Sequence, residues 1–180
     1  EVLMDLESVS DLTVLSRFDR IRMTTECPYA RGSGLIGVSA DADTSGLVLL
    51  STALVDAAAS QVDGVVFEIS DPEAGGTIES LRRTIGELLR ALTTAQGRAD
   101  SIRPASVLQS SWWFRFDETN FFVSAFGPCY ARDSSRFAFD ADETYVLFLA
   151  AESFARRRAQ GEDHLPIAVK RSIRGAYNDA

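Results

Sequence analysis

The stretch Ser110–Arg136, SSWWFRFDETNFFVSAFGPCYARDSSR, decides how the rest of the chain is read. Ser110–Asp117 and Asn120–Phe126 alternate aromatic or aliphatic residues with polar ones. That period predicts two antiparallel strands, joined by a turn at Asp117-Glu118-Thr119. The second strand ends at Gly127-Pro128. Cys129, Tyr130, Arg132, Asp133, Ser134, Ser135 and Arg136 follow within one short segment, the densest group of reactive and anion-binding side chains in the sequence. The earlier turn Cys27-Pro28-Tyr29-Ala30-Arg31 is its natural counterpart.

Working outward, helical and strand patterns intermix. Leu3, Leu6, Leu12, Leu15 and Phe18 recur at near-helical spacing, with Ser10 or Asp11 as a cap. Pro28 biases Cys27 away from helix, to a bend or strand end. Gly32-Ser33-Gly34 is a flexible connection, and Leu35–Ala40 a short buried strand. Asp41–Gly46 is a turn and Leu47–Ser60 a helix, closed by Asp63-Gly64. Val65–Ser70 alternates as a strand with Phe67 and Ile69 on one face. After a loop at Asp71–Gly76, the residues Ile78, Leu81, Ile85, Leu88, Leu89 and Leu92 form one apolar stripe, opposite Arg82, Arg83, Glu87 and Arg90. Gly97–Pro104 reads as a loop, Thr144–Leu149 as a strand, and Ser153–Gln160 and Pro166–Ala176 as helices. The expectation is one α+β domain spanning residues 1–180, with a mainly antiparallel sheet of about four to six strands and packed helices.

Composition narrows the function classes. The 180 residues carry a net charge of -8, which argues against a nucleic-acid backbone binder and gives no support for an anionic membrane. Nearly all the basic residues are arginine, the side chain suited to bidentate recognition of carboxylates and phosphates. No apolar run approaches the ~18–20 residues of a membrane span, and the acidic start lacks a signal-peptide pattern. Two cysteines make no disulfide framework. A cytoplasmic, reduced setting with both thiols free is therefore expected, with a Cys27–Cys129 bridge as the other arrangement.

Several motifs are weighed against plainer readings. Gly32–Gly37 reads GSGLIG and matches a dinucleotide fingerprint in letters only, because that fingerprint requires a preceding strand and a following helix, and here a strand and then an acidic turn follow. One histidine and two distant cysteines make no closed zinc site. His164, in the polar stretch after Gly161-Glu162-Asp163, reads as a solvent-facing loop residue rather than a triad member. Cys27 is either an inert buried thiol or a thiolate with its pKa lowered by Arg31, able to act as nucleophile or haem ligand. Cys129 has the same alternatives. Tyr130 stacks on a ligand or packs. Ser134-Ser135-Arg136 suits a carboxylate or haem propionate, or is a capped loop with Arg136 in a surface ion pair. Seven aromatics fall within the fifteen residues 112–126; one set is core, and the other lines a flat cavity or is core too.

Taken in order, these segments resemble the YqcI/YcgG family. The resemblance is carried by Cys27-Pro28-Tyr29-Ala30, Trp113-Phe114-Arg115-Phe116, Asn120-Phe121-Phe122-Val123, Pro128, Ser135-Arg136 and Val146-Leu147-Phe148, across roughly residues 25–155. It departs at Tyr130 and Ser134, where some members have His, and in a last strand without Gln-Pro. The resemblance implies a haem-dependent N-oxygenase with haem b as cofactor, hydroxylating an amine or guanidine nitrogen of a small amino-acid-like substrate in a natural-product pathway. It implies Cys27 as axial ligand, since His164 lies outside the shared motifs. Arg31, Ser135 and Arg136 then hold a propionate or the substrate carboxylate, and Tyr130 and Trp113 line the pocket. The alternative is a non-catalytic haem or small-molecule binder. A thiol enzyme is a third reading, weakened because no histidine stands in the motifs to serve as base. Oligomeric state is open, with a homodimer compatible.

Overall fold

Asp11 starts the first helix by accepting the N–H groups of Thr13 at 2.8 Å and Val14 at 3.3 Å on one carboxylate oxygen. Those bonds, the Thr13 amide above all, hold its carboxyl below the usual range. The cap therefore stabilises the fold above the ordinary carboxylate pKa and weakens as pH falls through the lowered one. The structure, a computed structural model, describes residues 10–24, 31–41, 43–60, 62–98 and 112–159. In chain order the elements are α1 (Leu12–Thr24), β1 (Leu35–Ser39), α2 (Thr44–Ser60), β2 (Gly64–Ile69), a 3-10 turn (Pro72–Ala74), α3 (Ile78–Ala95), β3 (Phe114–Phe116), β4 (Thr119–Phe126), β5 (Thr144–Ala150) and α4 (Ala151–Ala159). The helix expected at Pro166–Ala176, the leucines Leu3 and Leu6, and the site residues Cys27 and His164 lie outside the described residues.

The fold is α+β. Five strands form one sheet in the order β1-β2-β5-β4-β3. β1 and β2 are parallel, linked through α2, and every other pairing is antiparallel. The late hairpin is present, with a two-residue turn at Asp117 and Glu118, both in left-handed backbone. Its first strand is shorter than expected, only Phe114–Phe116. α3 is capped by a reciprocal box between Thr77 and Ser80. α2 starts three residues before its expected boundary, because Asp43 accepts the Gly46 amide at 2.9 Å and caps it.

Two apolar layers flank the sheet. On one face α2 and α3 bury Leu50, Leu54, Leu88 and Leu92 against Ile36, Val38, Phe67 and Phe148. Three of the hairpin aromatics, Phe114, Phe116 and Phe121, belong to this layer, so the plain core reading holds for them. On the other face α1 lays Val14, Phe18 and Ile21 over Val66, Tyr145 and Leu147, while Leu12 faces solvent. The alternation expected for Val65–Ser70 placed one face in the core. All six residues of β2 are buried, because α1 covers the second face too.

Candidate functional site

The strand register divides the sheet into two ends. Leu35, Gly64, Leu149 and Phe122 stand in one row; Ser39, Glu68, Tyr145 and Phe126 stand in another. The rows are four residues apart, about 13 Å at the usual rise of a strand. The segment Gly127–Arg136 leaves from the second row, and Arg31–Gly34 enters the first. Of the two stretches that the sequence pairs as counterparts, the later one leaves the Glu68 end, while Arg31, the one described residue of the earlier, leads into the other end.

At the Glu68 end the chain buries a charge. The Glu68 carboxylate is 1% exposed and the Arg17 side chain 43%. Arg17 donates to both oxygens, Nε to one at 2.8 Å and Nη2 to the other at 2.5 Å. Ser39 Oγ donates at 3.1 Å. Burial first, and then the Glu68 charge, push the hydroxyl of neighbouring Tyr145 far above its ordinary range. The folded chain therefore keeps a proton that the unfolded chain releases above about pH 10. Stability is full below that pH and falls as pH rises beyond it. Urea unfolding between about pH 8 and 11 is expected to show that alkaline decline, and Tyr145→Phe to flatten it; an equal decline in the variant would assign it to other groups.

The loop beyond Phe126 is a series of turns. Tyr130 N–H donates to the Gly127 carbonyl, Ser134 N–H to Ala131 and Phe137 N–H to Ser134. Arg136 N–H donates to Ser134 Oγ at 3.2 Å, so that hydroxyl caps the turn. Arg136 Nη1 donates to the Tyr130 hydroxyl at 3.3 Å, with the guanidinium 5.9 Å from the ring centroid. Tyr130, Ser135 and Arg136 are half-buried together here. Cys129 is a half-buried free thiol whose pKa is raised by burial, the opposite of an activated nucleophile.

Trp113 stands at the other end, away from Tyr130 and Arg136. Its ring makes edge contacts with Phe122 and Phe154, and Phe122 meets Phe154 in turn. Trp113 and Phe122 remain 40% and 36% exposed, so this trio is an open apolar wall. Ser124, next along that face, is buried with a hydroxyl that has no hydrogen-bond partner. Guanidiniums gather at the same end. Asp63 holds Arg156 at 3.1 Å and Arg157 at 3.0 Å, and accepts the Gly34 amide at 2.9 Å. Arg22, in the last turn of α1, donates to the Ser33 carbonyl at 2.6 Å. Arg31, exposed, lies two residues from Ser33.

For a flat, apolar, dianionic group such as haem, the Trp113 end carries the suitable chemistry: part-open ring faces, an orphaned buried hydroxyl and several arginines. The Tyr130–Arg136 end has guanidiniums as well, with Arg136 set on Tyr130, Arg132 on Asp140 and Arg17 on Glu68. Among the described residues there is no histidine, and the one thiol, Cys129, is at the wrong end for this wall. Cys27 follows the turn of α1 that Arg22 ties to Ser33, but itself lies outside the described residues. Sequence reasoning missed Glu68, Arg17, Asp63, Arg156 and Arg157. A lone carboxylate inside the apolar run VVFEI was the available signal for Glu68; nothing local marked its partner. No family model, no curated protein and no solved structure matches the chain.

Proposed function

We propose that this chain is a haem-dependent oxygenase that hydroxylates a nitrogen of a small amino-acid-derived amine or guanidine. The observation that carries the reading is that the Trp113–Phe122–Phe154 wall and the arginines Arg22, Arg156 and Arg157 belong to the same end of the sheet. It adds to the ordered Cys-Pro, Trp-Phe and Ser-Arg resemblance to the YqcI/YcgG family. The chemistry a bound haem supplies is activation of dioxygen or peroxide, and thiolate ligation favours O–O cleavage.

The chain's own residues do the holding. In this reading the rings of Trp113 and Phe122 cover an apolar face and exclude water, and the arginine rim neutralises carboxylates by charge-assisted hydrogen bonds. Cys27 would be the residue to ligate the iron of a bound haem. Tyr130, Ser135 and Arg136, remote from the wall, shape the opposite end of the sheet instead of holding a propionate. Purified protein titrated with haemin is expected to develop a Soret band that Cys27→Ala shifts or loses. Protein that takes up no haemin sinks the reading.

One observation favours a non-catalytic binder as the second reading. Asp63 is committed to two arginines and a backbone amide, and Asp19 is paired with Arg22, so neither is poised as a base. Haemin that binds tightly but leaves the protein inert to peroxide would select that alternative.

A further inference from the structure

We infer that the Ser124 hydroxyl is the hydrogen-bonding floor of the Trp113–Phe122–Phe154 wall, and that the group it holds there is an uncharged amine on a flat aromatic ring. The inference deepens the proposed function and rests on it only for calling that arylamine the substrate. Among the described residues two buried side-chain hydroxyls have no hydrogen-bond partner, those of Ser124 and Thr144, residues 4% and 0% exposed. An unmet buried hydroxyl costs the fold the whole desolvation of the group, so each calls for a reason.

The two differ in what lies beside them. Thr144 faces the α2 and α3 layer with Val146 and Phe148. The Gly75 backbone presses on it, for a Cβ at Gly75 would stand 2.0 Å from Thr144 Oγ1. Backbone fills that side of the hydroxyl. Ser124 faces the opposite way, on one strand face with Phe122 and Phe126 and across from Leu147. Phe122 is the member of the wall that stands two residues from it. Phe122 and Trp113 keep part of their rings in solvent. The unmet hydroxyl therefore lies at the inner edge of ring faces that a ligand can reach.

The surroundings select the charge of that ligand. Phe126, Leu147 and Leu149 are buried and apolar, and the Tyr145 hydroxyl on this face is engaged with Glu68. One neutral hydroxyl among them cannot offset the desolvation of an ammonium or a guanidinium. It can accept one N–H from an uncharged amine. The rings of the wall favour an aromatic ligand, met offset or edge-on. An amino group conjugated to a flat ring satisfies both conditions, because conjugation lowers its basicity and leaves it unprotonated at neutral pH. Between the amine and the guanidine, this floor takes the amine, and takes it uncharged.

Ligand-observed NMR titrations without haemin test it. The probes are p-toluidine, a neutral arylamine; benzylamine, its isomer and an ammonium at neutral pH; and p-xylene, the ring without the polar atom. Wild type is expected to bind p-toluidine more tightly than benzylamine. Ser124→Ala is expected to weaken p-toluidine about five- to tenfold, the worth of one hydrogen bond, and to leave p-xylene unchanged. Its melting temperature is expected to equal or exceed that of wild type, since an unmet hydroxyl is gone. Thr144→Val is expected to leave all three affinities unchanged. A Ser124→Ala protein that binds p-toluidine as wild type does overturns the inference. So does one that melts lower, which would assign the hydroxyl to the fold, or a wild type that prefers benzylamine or binds neither neutral ring. Haemin uptake is read separately on the same proteins: a wild type without a Soret band sinks the oxygenase, while the arylamine site stands or falls on the titrations.

Discussion

Arg17→Ala is expected to lower the free energy of unfolding by about 3 kcal/mol at neutral pH, the low end for a broken buried ion pair because Arg17 is itself partly in water. The loss comes from what stays behind. Glu68 is 1% exposed, and its carboxylate takes two of its hydrogen bonds from the Arg17 fork at 2.8 and 2.5 Å. Without that fork, Ser39 and Tyr145 alone face a full buried charge. Arg17→Lys keeps the charge but not the planar fork, and is expected to recover only part of the loss. Glu68→Gln is expected to cost less than Arg17→Ala, since an exposed arginine can return to water whereas a buried carboxylate cannot. Urea unfolding of the three variants checks the order. An Arg17→Ala midpoint equal to wild type would mean that α1 is not held by this pair.

Gly37→Ala is expected to destabilise by at least about 2 kcal/mol, while Gly34→Ala, three residues earlier, is nearly silent. A Cβ at Gly37 would stand 2.4 Å from the Asp11 carbonyl oxygen, 3.0 Å from Leu15 Cγ and 3.2 Å from Val14 Cβ. The backbone there cannot give way cheaply, because Asp11 N–H donates to the Gly37 carbonyl at 2.7 Å and Gly37 N–H to Ser10 Oγ at 3.2 Å. These bonds close the outer edge of β1. A Cβ at Gly34 meets only a Val62 methyl at 3.9 Å. The pair of variants also separates two readings of GSGLIG. A phosphate cradle would need its early glycines, whereas a docking surface for α1 needs only Gly37. Thermal melts of the two variants give the answer; equal losses would refute the docking account.

The elements that could be read from the sequence were those whose signal is local. The stripe of α3, the hairpin around Asp117-Glu118 and the apolar run of β5 each carry their own period, and each is where the pattern put it. The capped loop among the plain alternatives for Ser134 was also legible, and the Arg136 amide donating to Ser134 Oγ is that cap. The placement of the site was not. Trp113 and Arg136 are 23 positions apart and were assigned to one pocket, yet β4 carries them to opposite ends of the sheet. Glu68 and Arg17 are 51 residues apart, and Asp63 and Arg157 are 94 apart. No local period links residues at such separations.

By itself the sequence determined the α+β class and the late hairpin, because periodicity and turn chemistry act over a few residues. Only the tertiary structure decided that β2 is buried on both faces, that Phe114, Phe116 and Phe121 are core, that Gly37 serves the docking of α1, and that the aromatic wall shares its end of the sheet with Arg22, Arg156 and Arg157 while Tyr130 pairs with Arg136 at the far end. Those outcomes follow from strand order and register, which bring distant residues within hydrogen-bonding reach and carry neighbouring ones apart.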